Sequence, residues 1–238
     1  MSKAIQFLTK CLPARKITIL CPTRQRNLKA QGLALSFLET DHSDAKLVFG
    51  IDADCVGDYD LIQHPHIEYL SIPRGEVTGA VRPVNIMAGI YQEQSPYLGV
   101  LGDDAWIISK NWQTRLLEEF KRGFGIVYCE DNCQPWLAGH VFVDSRIPKR
   151  LGHLLWPGFW HLCADNVLKD IGAAAGLKYM TDVVIEHRHY FQDASRMDEV
   201  YAKVNSDKTR EHDNDAYRVY LERHFRNEAR LVSEVMKP

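Results

Sequence analysis

The chain alternates short apolar runs with amphipathic stretches through its first two-thirds. The apolar runs predict buried strands, whereas apolar residues repeated every three or four positions predict helices. Continuous apolar strands are buried on both faces, so we expect an α/β fold with a mostly parallel central sheet flanked by helices. The predicted strands are Ile17–Cys21, Lys46–Ile51, Ile67–Ile72 and Tyr97–Leu101, and the predicted helices are Leu28–Leu38, Val84–Tyr91 and Trp112–Phe120.

This alternation changes after residue 123. The pattern there predicts strands over Gly125–Cys129, His140–Val143 and Tyr179–Ile185, and a helix over Asn166–Ala175. From about Asp193 the chain becomes polar, and the helical spacing over Asp213–Val235 predicts a C-terminal helix. We therefore predict a core domain over residues 1–192 and a C-terminal helical extension, residues 193–238, packed on it.

Composition and charge exclude several classes of protein. The 238 residues are 45% hydrophobic and 25% charged, as in ordinary globular domains. The formal net charge of −2 lacks the basic excess of duplex-binding proteins. No apolar stretch approaches the ~18 residues of a membrane span, and the N-terminus lacks the apolar segment of a signal peptide. We expect a soluble, cytoplasmic protein with six free cysteines, since the Cys129/Cys133 pair lacks the second pair of a zinc site.

Two polar clusters follow the first two predicted strands, where open α/β sheets bind ligands. Residues Pro22–Arg26 open a helix, and its N–H groups with two arginines favour an anion such as a diphosphate. The alternative is a helix start with solvated arginines. Asp52 and Asp54 are suited to accept hydrogen bonds from a ribose or a base, or they belong to an Asp-rich turn. The glycine-rich dinucleotide motif is absent.

Two further clusters contain residue types that bind metals. Asp103 and Asp104 are adjacent carboxylates at a strand end, which repel each other unless a cation or donors neutralise them. They suit Mg²⁺ or Mn²⁺, or they cap a helix that begins there. His187 and His189 share one face of an extended chain, and imidazole shifts the preference toward Mn²⁺.

Asp165 lies at a predicted helix start behind a loop with two tryptophans, Trp156 and Trp160. A carboxylate at that place is able to act as general base on an acceptor hydroxyl, and aromatic faces suit a sugar or a base. The alternative is a helix-capping aspartate beside core tryptophans.

Taken in order, these clusters resemble the GT-A glycosyltransferases, particularly small bacterial and phage proteins akin to the inverting family 2. The resemblance spans roughly residues 17–190 and implies the Rossmann-like GT-A fold with a C-terminal helical tail. Each motif is short, and their order and spacing carry the resemblance. The matching residues are Pro22-Thr23-Arg24, Ile51-Asp52-Ala53-Asp54, the run from Arg74-Gly75 through Ala80 with Arg82 and Asn85, Leu101-Gly102-Asp103-Asp104, Asp165-Asn166 and His187-Arg188-His189.

The resemblance implies a role for each matching residue. It assigns binding of a nucleotide's base and ribose to Pro22, Thr23, Arg24, Asp52 and Asp54, and contact with the diphosphate side to Arg74 and Arg82. Asp103 lies near the ribose or donor sugar, Asp104 binds the metal with His187 or His189, and Asp165 is the catalytic base. Two positions depart from the family pattern: Gly102 replaces the first carboxylate of the Asp-x-Asp motif, and Asp165-Asn166 replaces a Glu-Asp pair.

The function implied by the resemblance is transfer of a sugar from a nucleotide-sugar, by default a UDP-sugar, to an acceptor hydroxyl with inversion, dependent on Mn²⁺ or Mg²⁺. The acceptor stays open between a glycan, a protein, a small molecule and a hydroxymethylated pyrimidine in phage DNA. An extruded base would stack on Trp156, Phe159 or Trp160, whereas the lack of basic charge argues against DNA. The alternative functions are an inactive GT-A-like module that binds sugar or protein, a nucleotidyltransferase, and a nucleic-acid adaptor.

Overall fold

A mixed β-sheet flanked by helices forms the centre of the protein in the computed structural model, which describes residues 5–77 and 79–237. The strands are β1 (Gln6–Phe7), β2 (Ile17–Thr23), β3 (Ala45–Asp52), β4 (Ile67–Ile72), β5 (Tyr97–Val100), β6 (Ala105–Ile107), β7 (Ile126–Glu130), β8 (Val141–Asp144) and β9 (Leu177–His187). The helices are α1 (Asn27–Leu38), α2 (Val81–Tyr91), α3 (Trp112–Lys121), α4 (Arg146–Leu151), α5 (Ala164–Asp170), α6 (Gly172–Ala175), α7 (Glu199–Val204), α8 (Asp207–Arg223) and α9 (Phe225–Met236).

The strands follow the order β1-β4-β3-β2-β5-β8-β7-β9-β6 across the sheet. Strands β4, β3, β2 and β5 are parallel to one another, and β1 pairs antiparallel with β4. Strand β8 pairs antiparallel with both β5 and β7. Strand β9 runs parallel to β7, and β6 is antiparallel to β9. The prediction of an α/β fold with a central sheet flanked by helices is confirmed, and the second half adds the antiparallel pairings.

Two apolar cores cover the two faces of the sheet. Side chains alternate along a strand, so Ile19 of β2 faces the core that contains α1 and α3, whereas Leu20 faces the core that contains α2. Both residues are fully buried. Burial of such a side chain contributes about 1.5–3 kcal/mol, and repetition of this alternation along β2, β3 and β4 fixes the register of the parallel half.

Several predicted elements differ in extent from the observed ones. The segment after Asp104 forms strand β6, so the alternative in which Asp103 and Asp104 cap a helix is wrong. The predicted helix Asn166–Ala175 divides at Ile171 into α5 and α6, and the predicted helix Asp213–Val235 divides at His224 into α8 and α9. Helix α2 begins at Val81 rather than Val84 because Pro83 falls in its first turn, where proline is tolerated.

The C-terminal helices lie against the second half of the sheet domain. Helix α9 packs on α4 and α6, and Tyr220 of α8 is fully buried in the shared core. The proposed domain boundary at residue 192 stays a prediction. The six cysteines have free thiols, and among the described helices none is long and apolar enough to cross a membrane.

Candidate active site

The carboxyl ends of β2, β3 and β5 meet at one edge of the sheet. The parallel register pairs Thr23 with Ile51, and Leu20 with Val100, so the polar residues that follow each strand converge. Thr23 Oγ1 donates to Asp103 Oδ2 at 2.7 Å. The first and third predicted clusters therefore belong to a single site.

Arg24 holds the second cluster. Its guanidinium donates to Asp52 Oδ2 at 2.8 Å and to the two carboxylate oxygens of Asp54 at 2.6 and 2.9 Å. These hydrogen bonds, which oppose the effect of burial, lower the pKa of Asp54 to about 2. Arg74 adds a contact to Asp54 at 3.1 Å. The result is a network of charged donors and acceptors of the kind that binds a polar heterocycle or a ribose.

Asp103 and Asp104 are almost fully buried, with 4% and 7% of their surfaces exposed. Arg26 Nη1 lies 3.2 Å from Asp103 Oδ1. Burial raises the pKa of Asp103, and the charge of Asp104 adds to this effect while Arg26 opposes it. Two carboxylates held this close in a buried place favour a cation beside them.

His187 reaches this acidic pair through the pairing of β6 with β9. Ala105 lies opposite His187 in that antiparallel pair, and Arg188 N donates to the carbonyl of Asp104 at 3.0 Å. His187 Nε2 therefore lies 3.5 Å from Asp104 Oδ1. Burial disfavours the charged imidazole, but the contact with Asp104 outweighs it and raises the pKa of His187. The same contact outweighs burial of Asp104 and holds its carboxyl pKa well below the usual range.

The second predicted imidazole, His189, is oriented differently. Its Nδ1 accepts from Phe191 N at 3.2 Å, and its ring centroid lies 4.8 Å from that of His187 and 4.9 Å from that of Tyr201. Burial lowers the pKa of His189 to about 4. His189 is thus neutral at pH 7 and packs beside His187.

Asp104 and His187 fit a divalent metal ion as a set of two ligands. Across residues 5–77 and 79–237, no group of three or more His, Cys, Asp or Glu side chains has the arrangement of a metal cage. A site of one carboxylate and one imidazole suits Mn²⁺ or Mg²⁺ when substrate phosphates and water complete the coordination. The roles of Asp104, His187 and His189 as ligands stay predictions, with His187 placed nearer Asp104.

Asp165 is the second residue of α5. The residue before this helix, Cys163, has φ 65°, a left-handed conformation that is costly for a side chain other than glycine. Asp165 Oδ1 accepts from Asn166 N at 2.9 Å, and burial raises the pKa of the Asp165 carboxyl. Strained backbone of this kind concentrates at functional sites.

One cavity of about 630 Å³ joins these groups. Asp54 and Arg74 lie outside its wall, where Asp54 contacts the wall residue Arg24 and Arg74 contacts Asp54. Arg82 donates to the carbonyl of Pro73. The placement of Arg74 and Arg82 therefore does not support their diphosphate roles, which stay predictions. The matching segment that contains both residues also includes Thr78, which is outside the described residues. The predicted site residues in the cavity wall are Pro22, Thr23, Arg24, Asp52, Asp103, Asp104, Asp165, His187 and His189.

The three aromatic residues considered as stacking platforms lie elsewhere. Trp156 packs against Phe159 and Tyr220, with ring centroids 5.1 and 5.4 Å away, and Trp160 stacks on His212 at 3.8 Å. None of the three tryptophan and phenylalanine rings belongs to the cavity wall among the described residues. The packing of Trp156 and Phe159 matches the alternative interpretation of core aromatic residues, whereas Trp160 is half-buried and stacks on His212.

Helix α7 adds residues that the sequence analysis did not assign to the site. The Tyr201 hydroxyl donates to Asp104 Oδ2, and the Tyr201 ring lies 4.1 Å from the Arg26 guanidinium. Asp198 accepts from Arg26 at 2.7 Å and from Lys29 at 2.7 Å. Arg26 stood in a motif noted from the sequence, whereas nothing near Tyr201 or Asp198 in the sequence signals these contacts.

Gly79 is a position at which a single methyl group would disturb this site. A Cβ at Gly79 would lie 2.0 Å from the carbonyl oxygen of Trp160, and backbone cannot move aside as a flexible side chain does. We expect Gly79→Ala to lower the free energy of unfolding by about 1–3 kcal/mol. Gly89→Ala inside α2, whose Cβ would meet nothing within 4 Å, should raise it by about 0.5–1 kcal/mol. Urea unfolding of both variants checks this, and equal effects of the two substitutions would contradict it.

The arrangement of strands and helices is the GT-A fold. The chain is similar to residues 1–349 of S. aureus TarS in complex with UDP-GlcNAc, with TM-score 0.54, 12% identity, and coverage of 88% of this chain and 72% of that chain. It is also similar to the mannosyltransferase PcManGT from Pyrobaculum calidifontis in complex with GDP-Man and Mn²⁺ (TM-score 0.51, 13% identity, 94% and 76% coverage). The Mycobacterium tuberculosis protein Rv0371C in complex with manganese gives TM-score 0.51, 10% identity, and 77% and 97% coverage. No family model and no curated protein sequence matches the chain.

Proposed function

We propose that this protein transfers a sugar from a nucleotide-sugar to an acceptor hydroxyl, with Asp165 as the general base. The observation that carries the proposal is the single cavity that contains the Arg24–Asp52 network, the Asp103/Asp104 pair with His187, and Asp165. These groups match the three needs of the reaction, which are recognition of a nucleotide, neutralisation of a diphosphate and removal of an acceptor proton.

Each group has a distinct task in the proposed reaction. The network of Arg24 with Asp52 binds the base and ribose, since it offers both charged donors and charged acceptors. Arg26 places a positive charge beside the acidic pair, near the diphosphate. A divalent ion held by Asp104 and His187 would neutralise the charge that develops on the departing nucleoside diphosphate.

Asp165 takes the proton of the acceptor hydroxyl as the new C–O bond forms at the anomeric carbon, and the bond from that carbon to the diphosphate oxygen breaks. Because this is one displacement from the face opposite the leaving group, the configuration at the anomeric carbon inverts. Asp165 is partly buried, so its carboxylate is less hydrated and more basic than one in water.

A uridine diphosphate sugar is the first donor to test. Support comes from the similar S. aureus TarS fragment, which binds UDP-GlcNAc, while PcManGT binds GDP-Man and makes guanosine donors the second choice. The acceptor stays open between glycans, proteins, small molecules and modified DNA.

Removal of the metal or of its carboxylate ligand should abolish the reaction. We expect release of nucleoside diphosphate from one nucleotide-sugar of a panel in Mn²⁺, and loss of this release in EDTA and in Asp104→Asn. The reason is that in both cases no bound metal ion neutralises the charge that develops on the departing diphosphate. Liquid chromatography of the released nucleotide measures the rate, and Asp182→Asn, an exposed carboxylate on β9, is the matched control.

The products and the binding behaviour separate the rival functions. A nucleotidyltransferase would need a nucleoside triphosphate as substrate, from which it would release inorganic pyrophosphate, and it would release no nucleoside diphosphate from the nucleotide-sugars of the panel. An inactive binding module would bind the nucleotide-sugar in a thermal-shift assay without any turnover when acceptors are supplied. If no nucleotide-sugar of the panel bound in either metal condition, the proposal would be abandoned.

A further inference from the structure

The turn that contains His161 is held by an unusual number of backbone hydrogen bonds to one side chain. Asp213 of α8 is fully buried and accepts from Trp160 N, His161 N and Leu162 N at 2.8, 2.9 and 2.6 Å. A buried carboxylate with three backbone donors is well compensated and fixes the segment that supplies them. The turn just before Cys163 and Asp165 is therefore a rigid part of the cavity wall.

The tautomer of His161 follows from its contact with the start of α2. Ala80 N donates to His161 Nδ1 at 3.3 Å, so Nδ1 carries a lone pair and the ring proton lies on Nε2. Val81 N and the carbonyl of Trp160, 3.4 Å apart, join the same two segments. Burial lowers the pKa of His161 to about 4, which keeps the imidazole neutral at pH 7.

The proton on Nε2 belongs to a ring that lines the cavity. His161 contributes to the wall that also contains Arg26 and Asp104, and the charges of these two residues act on its ring. Within residues 5–77 and 79–237, Nε2 makes no hydrogen bond, and it is not among the buried side-chain atoms that lack a partner. Among the described residues it is thus a donor without a partner, on a rigid support in the wall that also contains Asp104.

We infer that His161 is a substrate-binding residue whose Nε2–H donates a hydrogen bond to a diphosphate oxygen of the donor nucleotide. The inference rests on the proposed function and adds a residue to it. A neutral donor suits this position because it adds a hydrogen bond to an anionic oxygen without a further positive charge beside Arg26 and the cation site. Hydrogen bonds to charged groups are the stronger ones, so the loss of this contact should be measurable.

Two amide substitutions separate this role from a structural one. In His161→Gln the amide nitrogen takes roughly the position of Nε2 and keeps the donor, whereas in His161→Asn the amide oxygen takes roughly the position of Nδ1 and keeps the acceptor for Ala80 N. We expect His161→Asn to weaken binding of UDP about 10-fold, and His161→Gln to stay within about threefold of the wild type. The order for thermal stability should be the reverse, with the asparagine variant closer to the wild type.

Isothermal titration with UDP in Mn²⁺ measures the affinity, and GDP replaces UDP if the wild type binds only guanosine nucleotides. His161→Phe, which keeps a planar ring and loses both nitrogens, should show the weak binding of the asparagine variant. Equal affinities of the Gln and Asn variants, or weak binding by Gln alone, would overturn the inference while leaving the proposed function intact. A wild type that binds neither nucleoside diphosphate would refute both. An effect on UDP-GlcNAc but not on UDP would overturn the assignment to the diphosphate.

Discussion

Asp165→Asn should reduce kcat by about 10²- to 10⁴-fold, the usual contribution of a general base. The amide is close in size to the carboxylate, so Asp165→Asn preserves the start of α5 and the acceptance of the Asn166 N–H. It cannot take a proton from an acceptor hydroxyl. The loss corresponds to about 3–5.5 kcal/mol of transition-state stabilisation, and donor binding should change little.

The pH dependence of the reaction rate gives a second test of Asp165 as the base. A base must be ionised to act, and burial raises the pKa of Asp165 above that of an ordinary carboxyl. The rate of the wild type should therefore fall as the pH is lowered through a value above the usual carboxyl pKa. This acid limb should be absent from the residual activity of Asp165→Asn.

Initial rates at saturating donor, measured from pH 4 to 9 in about half-unit steps, test both expectations for this base. Asp182→Asn makes the same carboxylate-to-amide change at an exposed place and should keep wild-type activity. A rate for Asp165→Asn within threefold of the wild type would remove Asp165 from the role of base.

Removal of the Lys46 charge, at the end of the sheet opposite the candidate active site, should lower the free energy of unfolding by about 3–5 kcal/mol, because it leaves the buried Glu68 without its partner. Lys46 and Glu68 are both fully buried, with Nζ and Oε2 3.6 Å apart. Glu68 also accepts from Tyr91 and from Leu12 N, the latter at 3.1 Å. Lys46→Met therefore leaves the Glu68 carboxylate buried without a positive charge beside it, while its hydrogen-bond donors stay in place.

A double variant separates the charge from the volume. Lys46→Met with Glu68→Gln removes both charges and keeps an acceptor for Leu12 N, so it should lose much less stability than Lys46→Met alone. Urea unfolding at pH 7 of Lys46→Met, Glu68→Gln and the double variant gives the free energies of unfolding. The coupling is the change for the double variant minus the sum of the changes for the two single variants. A double variant as unstable as Lys46→Met alone would mean that packing, rather than the buried charge, decides the stability there.

The apolar pattern predicted the parallel half of the sheet closely. The predicted strand Ile67–Ile72 has the bounds of β4, because its side chains are buried on both faces and local sequence is enough to mark it. The pattern failed at the C-terminal helix. The helical spacing there is continuous across His224, and the division arises because α9 turns to pack on α4 and α6.

The carboxylates of the site were predictable for a similar local reason. Asp52, Asp103 and Asp104 each follow an apolar strand, and in a parallel sheet such positions converge at one edge. The side chains that contact these carboxylates, and those that fix the neighbouring wall of the cavity, were not predictable. Tyr201 lies 97 positions after Asp104 along the chain, and Asp213 lies 51 to 53 positions after the backbone groups it holds. No local spacing encodes contacts of that range.

The sequence by itself thus determined which segments are buried strands and which carboxylates stand at their ends, since both depend on alternation and burial over a few neighbouring residues. Only the tertiary structure decided what faces those carboxylates. The antiparallel pairing of β6 with β9 brings His187 to Asp104, and the packing of α7 brings Tyr201 to the same carboxylate. The packing of α8 brings Asp213 to the turn that contains His161. Such pairings depend on how whole elements pack, which is a property of the complete core.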